Sequence, residues 1–102
     1  SIMLSVSPIA LSGIRAATMQ MDASSHNIAN LQTAHFKRQQ VSQAAEAALG
    51  GVRATLSFSA AEGDALANDI VQQKAASYQY IANLRSIRTE DRMLGSLLDM
   101  HA

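Results

Sequence analysis

Cysteine is absent from this chain, which removes disulfides and thiolate metal sites at once. Tryptophan is absent too, and aromatic residues make up only 4% of the sequence. Proline occurs once, at Pro8. Neither sign of charge is in excess: eight Lys and Arg balance eight Asp and Glu. That balance gives no electrostatic footprint for nucleic acid or for an acidic membrane. No apolar run approaches the ~18 residues of a membrane span. A cleaved leader is not expected either, because residues 1–11 lack a basic start and are interrupted by Ser5, Ser7 and Pro8. The expectation is a cytosolic protein, or one exported by a route that needs no cleaved leader.

What is present is 102 residues, enough for one small domain, with a 48% apolar share that is largely Ala, Leu, Ile and Met. Such a set fills a thick globular core poorly. It suits thin helix-on-helix packing, in which small residues let backbones approach.

Residues 1–7 read as a lead-in. Ser7-Pro8 reads as a helix start, with a hydroxyl cap and proline at the first helical position. The first helix is expected over 8–31, with Ala10, Ile14, Ala17, Met21, Ser24, Ile28 and Leu31 at alternating steps of four and three on one stripe. Gly13, Thr18, Ser24, Ser25 and His26 weaken it, so it should fray if left alone. Asn30 is a plausible left-handed stop. Phe36, one of two phenylalanines, is expected to anchor the exit loop against a helix.

Residues 32–63 read as a connecting segment. Within it, 41–49 favour a short helical turn by composition, ended by Gly50-Gly51. Val52, Ala54, Leu56 and Phe58 then alternate with polar residues, the clearest strand signal in the chain. A lone half-buried strand needs a partner, from 33–42 or from another subunit, and a hairpin with 33–42 is the simplest one. The second helix, over 64–102 with Asp64 as its cap, carries Leu66, Ile70, Gln73, Ser77, Tyr80, Leu84, Ile87, Asp91, Leu94 and Leu98 on its own four-three stripe. At ~55 Å against ~35 Å it outruns the first helix, which leaves an apolar flank at its far end uncovered. The expected fold is all-α: two long antiparallel helices in a coiled-coil hairpin, with a short β element between them.

Candidate chemistry is thin. His26, His35 and His101 have no metal-like spacing, and there is no HExxH, no GxGxxG, no phosphate loop and no Gly-x-Ser-x-Gly elbow. Lys37-Arg38 and the row Arg85, Arg88 and Arg92 could suggest an anion surface, but the row is interleaved with Glu90 and Asp91, as on a solvated or salt-bridged face. Tyr78 and Tyr80 point in different directions and read as packing residues. No enzyme activity, cofactor, metal, small-molecule substrate or nucleic-acid partner is expected.

Both ends resemble the axial proteins of the bacterial flagellum, the rod, hook and hook-junction family. Ala10, Leu11, Gly13 and Ile14, then Asn27-Ile28-Ala29-Asn30, Thr33 and Phe36-Lys37, match its amino-terminal signature. Tyr80, Ala82, Asn83, Ile87, Thr89, Asp91 and the run Met93-Leu94-Gly95-Ser96-Leu97-Leu98-Asp99 match its carboxyl end. The matches cover residues 8–37 and 64–100. Two departures stand out: His35 replaces the glycine before Phe36, and the segment between the helices is shorter than the β-rich domains usual there.

The resemblance implies a small proximal-rod-like member or a shortened paralogue. Its partners would be copies of itself, other axial proteins and the flagellar type III export apparatus. It would sit in the basal-body rod that spans the periplasm, exported without a cleaved signal peptide and not inserted in the membrane. Its contact residues would be Ile14, Ala17, Met21, Asn27, Ile28, Asn30, Leu31, Phe36, Ile70, Tyr80, Asn83, Leu84, Ile87, Leu94 and Leu98. Of these, Asn27, Asn30 and Asn83 would fix register. The alternative is a helical adaptor or chaperone-like protein that binds axial proteins without polymerising.

Overall fold

A computed structural model describes the backbone of residues 2–48 and 50–101, and the side chains of residues 8–48 and 50–100. Two long helices pack together with a two-stranded antiparallel hairpin between them in sequence. Helix α1 spans Ile2–Ala29, strands β1 and β2 span Gln39–Ala45 and Val52–Phe58, and helix α2 spans Leu66–His101. The molecule is a rod, 63 × 25 × 14 Å.

Four local expectations are corrected. Residues 2–7 are not a lead-in, because α1 begins at Ile2 and Pro8 lies inside it. Proline there cannot donate to the carbonyl four residues back, so Pro8 is a weak point within the helix rather than its start. The helical turn expected from residue 41 does not begin there: 41–45 are the body of β1, and the Gly50 N–H donates to the Glu46 carbonyl at 2.9 Å only after the strand has ended; residue 49 lies outside the described residues. Asp64 stands one residue too early to cap α2. The cap position falls to Ala65, whose carbonyl accepts from the Asp69 N–H at 2.9 Å, and the acidic residue of the first turn is Asp69. Asn30 is not left-handed. It closes α1 by donating both its backbone N–H and its side-chain amide to the His26 carbonyl, at 3.1 and 2.9 Å.

The hairpin pairs Gln39 with Phe58, Val41 with Leu56, Gln43 with Ala54 and Ala45 with Val52. Paired residues share a face, so Val41, Ala45, Val52, Ala54, Leu56 and Phe58 lie on one side and Gln40, Ser42, Arg53, Thr55 and Ser57 on the other. The apolar side lies over α1, with Val52 and Ala54 beside Ser12, Ala16 and Met19. Ser12 fixes this seat: its hydroxyl donates to the Ile9 carbonyl at 2.6 Å and accepts the Val52 N–H at 3.0 Å. Gly51 allows the approach. Its φ is 85°, and a Cβ there would come within 2.5 Å of the Ser12 oxygen.

The left-handed residue expected at the end of α1 occurs instead at His35, with φ 59°. This is the position where the resembled signature carries glycine. A side chain in that region is strained, and the exposed His35–Glu62 pair, 3.1 Å apart, offsets little of the strain. His35→Gly is therefore expected to stabilise the chain by about 0.5–1 kcal/mol. Thermal unfolding followed by circular dichroism checks this, with a rise in Tm expected and a fall counting against the account.

Candidate assembly surfaces

The best-built constellation in the molecule lies where α1 ends, β1 begins and α2 begins. Asn27, in the last turns of α1, is buried. Its side-chain oxygen accepts the Gln39 N–H at 2.7 Å, and its amide nitrogen donates to the Gln39 carbonyl at 2.9 Å. The amide thus replaces a strand partner for the first residue of β1. The same nitrogen donates to Asp69 Oδ1 at 3.0 Å. Asp69 is only 1% exposed and is gripped by a guanidinium fork: Arg38 Nε donates to Oδ2 at 3.1 Å, and Nη2 donates to Oδ1.

Two effects make the buried carboxylate tolerable. It sits in the first turn of α2, where unpaired N–H groups favour negative charge, and it carries a two-pronged charge-assisted pair. The hydrogen bond to Asp69 raises the pKa of the Arg38 guanidinium; burial opposes this, and the charges of Asp69 and Asp64 add to it.

The contact between α1 and α2 extends from this node. On α1 the buried residues are Ala10, Gly13, Ala16, Ala17, Gln20, Ala23, Ser24 and Asn27. On α2 they are Asp69, Ala76 and Glu90, with Gln72, Gln79 and Asn83 half-buried. Gln20 donates to Ser24 at 3.0 Å and to Gln72 at 3.2 Å, and Gln73 donates to Ser25 at 2.8 Å. Gly13 packs against Asn83 so closely that a Cβ would lie 2.5–2.7 Å from its amide group. Among the described residues, no buried side-chain polar atom lacks a partner. The seam is therefore made of small and polar residues, satisfied one by one.

Apolar spacing selects only part of this seam. Of the expected α1 stripe, Ala10, Ala17 and Ser24 are buried, whereas Ile14, Met21, Ile28 and Leu31 are only half-buried. Of the α2 stripe, Leu84 and Ile87 are half-buried, and Ile70 and Leu94 remain 49% and 41% exposed, rising to 71% at Leu98. Tyr80 is also exposed.

Helical geometry explains the difference. The contact faces step through 10, 13, 17, 20, 24, 27 and through 69, 72, 76, 79, 83, 87, 90; they share Ala10, Ala17, Ser24 and Ile87 with the expected stripes, whose larger residues lie to one side. Asn27 meets Asp69 and Gly13 meets Asn83, which places Ile28 beside Ile70 and Ile14 beside Leu84. The larger residues of both stripes then fall to one side of the contact, with Ile14 also lining a hollow shared with Gln39 and Leu56 of the hairpin. Asn27 and Asn83 do sit in the seam, as expected of register residues. Asn30 lies past the end of α1 and bonds to His26 and to Thr33, the latter at 3.1 Å. Phe36 is half-buried, its ring centroid 5.4 Å from that of His26 on α1.

Asp69 did not stand out in the sequence, and Arg38 stood out only with Lys37 as a basic pair. The one available sign was a charged pair flanking a strand and a helix start. Among the described residues, no group of three or more His, Cys, Asp or Glu side chains is placed to hold a metal ion. No described helix is long and apolar enough to cross a membrane.

Removing one partner from the node should cost far more than an average substitution. Arg38→Met strands a buried carboxylate and should cost about 2–4 kcal/mol in urea unfolding. Because the Arg38 pKa is raised above an already high reference, its contribution is fully present below the ordinary arginine pKa and is lost only as pH climbs through the still higher folded value. The arginine therefore adds no pH dependence of its own to the difference between wild type and Arg38→Met from pH 7 to 10. A difference that shrinks steadily across that window would contradict this. No known family model matches the chain, and no curated protein matches it.

Proposed function

We propose that this chain is a structural subunit of the bacterial flagellar basal-body rod, polymerising through its paired N- and C-terminal helices. The observation that carries the reading is a coincidence of placement. The two signature stretches that resemble axial proteins fall on the two paired helices and on the loop after α1, and apolar residues of both helices stay exposed or half-buried. Ile70, Leu94, Leu97 and Leu98 stay exposed although the helices are already paired. Apolar faces of this extent on a small protein mark contact with other molecules.

The energetics favour the same reading. The fully buried apolar residues among those described are five alanines, Ala10, Ala16, Ala17, Ala23 and Ala76. Each has little area to remove from water, and burial contributes only ~25 cal/mol per Å². A helix pair held this lightly gains most of its stability when further helices cover its open side, so that folding and assembly are linked. On this reading the partners are copies of the chain, other axial proteins and the type III export apparatus. Asn27 and Asn83 set the register within each copy, and the outer stripes meet neighbours. No catalytic step is assigned.

Deletion of the gene in a motile host is expected to abolish swimming and leave truncated basal bodies, visible by electron microscopy. Normal swimming would count heavily against a rod role. A chain that stays monomeric, or stops at a closed dimer as concentration rises, would instead favour the non-polymerising adaptor.

A further inference from the structure

We propose that the free edge of β2 pairs with the β2 edge of a second copy, antiparallel and centred on Thr55, closing a symmetric dimer with one continuous sheet. The inference goes beyond the subunit reading and does not rest on it. The pair is made through the hairpin and leaves Ile70, Leu94 and Leu98 of α2 uncovered.

The ladder shows which groups are open. At its two ends Ser59 N–H donates to the Arg38 carbonyl at 2.8 Å, and Glu46 N–H donates to the Gly51 carbonyl at 3.0 Å. Hydrogen-bonded and non-bonded pairs alternate along an antiparallel ladder, so Gln40–Ser57, Ser42–Thr55 and Ala44–Arg53 are the bonded pairs. Val52, Ala54, Leu56 and Phe58 therefore turn their N–H and C=O groups outward. Ser12 takes the Val52 N–H at 3.0 Å. Among the described residues, nothing accepts from the N–H of Ala54, Leu56 or Phe58. Natural edges are guarded by Lys, Pro or a bulge. β2 has none of these, and its one charge, Arg53, is paired with Glu46 at 3.3 Å. The β1 edge differs: Asn27 holds Gln39, and Gln43 accepts from Gln79 of α2 at 3.3 Å.

A groove runs beside the open edge. Three hollows lie end to end between the hairpin and α1. The first two share Ser12 and Val52, and the last two share Arg15 and Met19. The last, about 410 Å³, is bordered by Leu56 and has room for incoming side chains. Leu56 and Phe58 are 48% and 62% exposed although their face lies over α1. A strand added to β2 covers both and sends every second side chain toward the groove.

A second copy is the occupant because the edge is complementary to itself. The outward residues 52, 54, 56 and 58 are symmetric about Thr55. A two-fold axis there sets Leu56 opposite Ala54 and Phe58 opposite Val52, large against small, and gives every open N–H of both copies an outward carbonyl. The charges repeat the symmetry. Arg15 and Asp22 line the same hollow and are exposed, and neither has an ion-pair partner among the described residues. They stand ~10.5 Å apart along α1, too far to pair with each other. Ser12 lies beside Val52, and Asn27 lies beside Gln39, the partner of Phe58. Thr55 is thus abreast of about Met19, between the two charges. The axis brings Arg15 of each copy opposite Asp22 of the other. Because α1 lies under both strands, the two copies of α1 come to two strand spacings, ~10 Å, which is a helix-packing distance. The contact is isologous and leaves no β2 edge open.

The chain has no cysteine, so a single introduced one reports the axis. Thr55 meets Thr55 as a directly opposed, non-hydrogen-bonded pair, the closest kind. Thr55→Cys in the full chain is expected to form a disulfide-linked dimer on air oxidation. Ser57→Cys, on the same face but opposite Arg53 of the other copy, is expected to stay reduced. In sedimentation velocity wild type should dimerise. Ala54→Pro removes an outward donor and no hairpin bond; it should keep wild-type helicity and need at least about tenfold more protein to pair. Arg15→Asp, a change at an exposed site, sets like charges across the axis and should weaken pairing about tenfold, and Arg15→Asp with Asp22→Arg should restore it. Equal crosslinking of the two cysteine variants, or pairing indifferent to the charge changes, overturns the edge dimer. If Thr55→Cys fails to crosslink while wild type still grows with concentration, the edge dimer falls and the subunit reading stands. Pairs that crosslink at Thr55→Cys and never grow past two chains support the edge dimer and count against the subunit reading.

Discussion

One amide nitrogen, on Asn27, holds together three parts of the chain. It donates to the backbone of Gln39 and to the carboxylate of Asp69, while the oxygen of the same amide accepts from Gln39. The end of α1, the first residue of β1 and the first turn of α2 are therefore fixed by one side chain. Arg38 completes the arrangement from the residue next to Gln39. Such a node contributes little net stability per bond, because each bond replaces one to water. Its effect is on geometry: any other placement of α2 leaves a buried carboxylate unpaired, and that alternative is costly. The register of the helix pair follows, with Gly13 against Asn83 farther along the rod.

From that register comes an unusual division of residues. Small and polar side chains face inward between the helices, where alanines pack and glutamines bond to serines. Larger apolar side chains stay exposed, among them Leu56 and Phe58 on the hairpin, Val71 and Tyr78 along α2, and Leu97, Leu98 and Met100 at its far end. A protein whose core must carry its stability alone places these the other way round. Here the chain uses inward contacts to choose its shape and keeps outward contacts for something else. The rod-subunit reading makes sense of this division, since an assembly of such rods buries the outer stripes while the inner seam stays as it is.

Much of the architecture was legible from residue pattern alone. Two long helices, a strand at 52–58 and a hairpin between the helices all follow from periodicity and turn residues. Other features were hidden for identifiable reasons. Residues 41–49 read as a helical turn because alanine, glutamine and glutamate favour one. Of these, 41–45 are a strand because Asn27 seizes the backbone of Gln39 and β2 supplies a full ladder. Tertiary hydrogen bonding overrode a weak local preference. Pro8 read as a helix start because proline suits that position. The helix nonetheless extends to Ile2 and carries the proline within it.

The seam itself shows where reading residues one after another stops working. Apolar spacing located the faces that hold isoleucine, leucine and methionine, and it located them correctly. It could not say which partner covers them. α1 must meet a hairpin on one side and α2 on another, and the side chains small enough to serve both are Ala16, Ala17, Ala23 and Gly13. That requirement belongs to three packed elements at once and leaves no trace in a single period. The order of elements, the strand at 52–58 and the apolar stripes were determined by the sequence itself, because backbone preference and spacing act within a few residues. The pairing of Arg38 with Asp69, the left-handed turn at His35 and the inward choice of polar over apolar faces were decided only in three dimensions. They depend on which distant backbone and side-chain groups are brought within bonding distance.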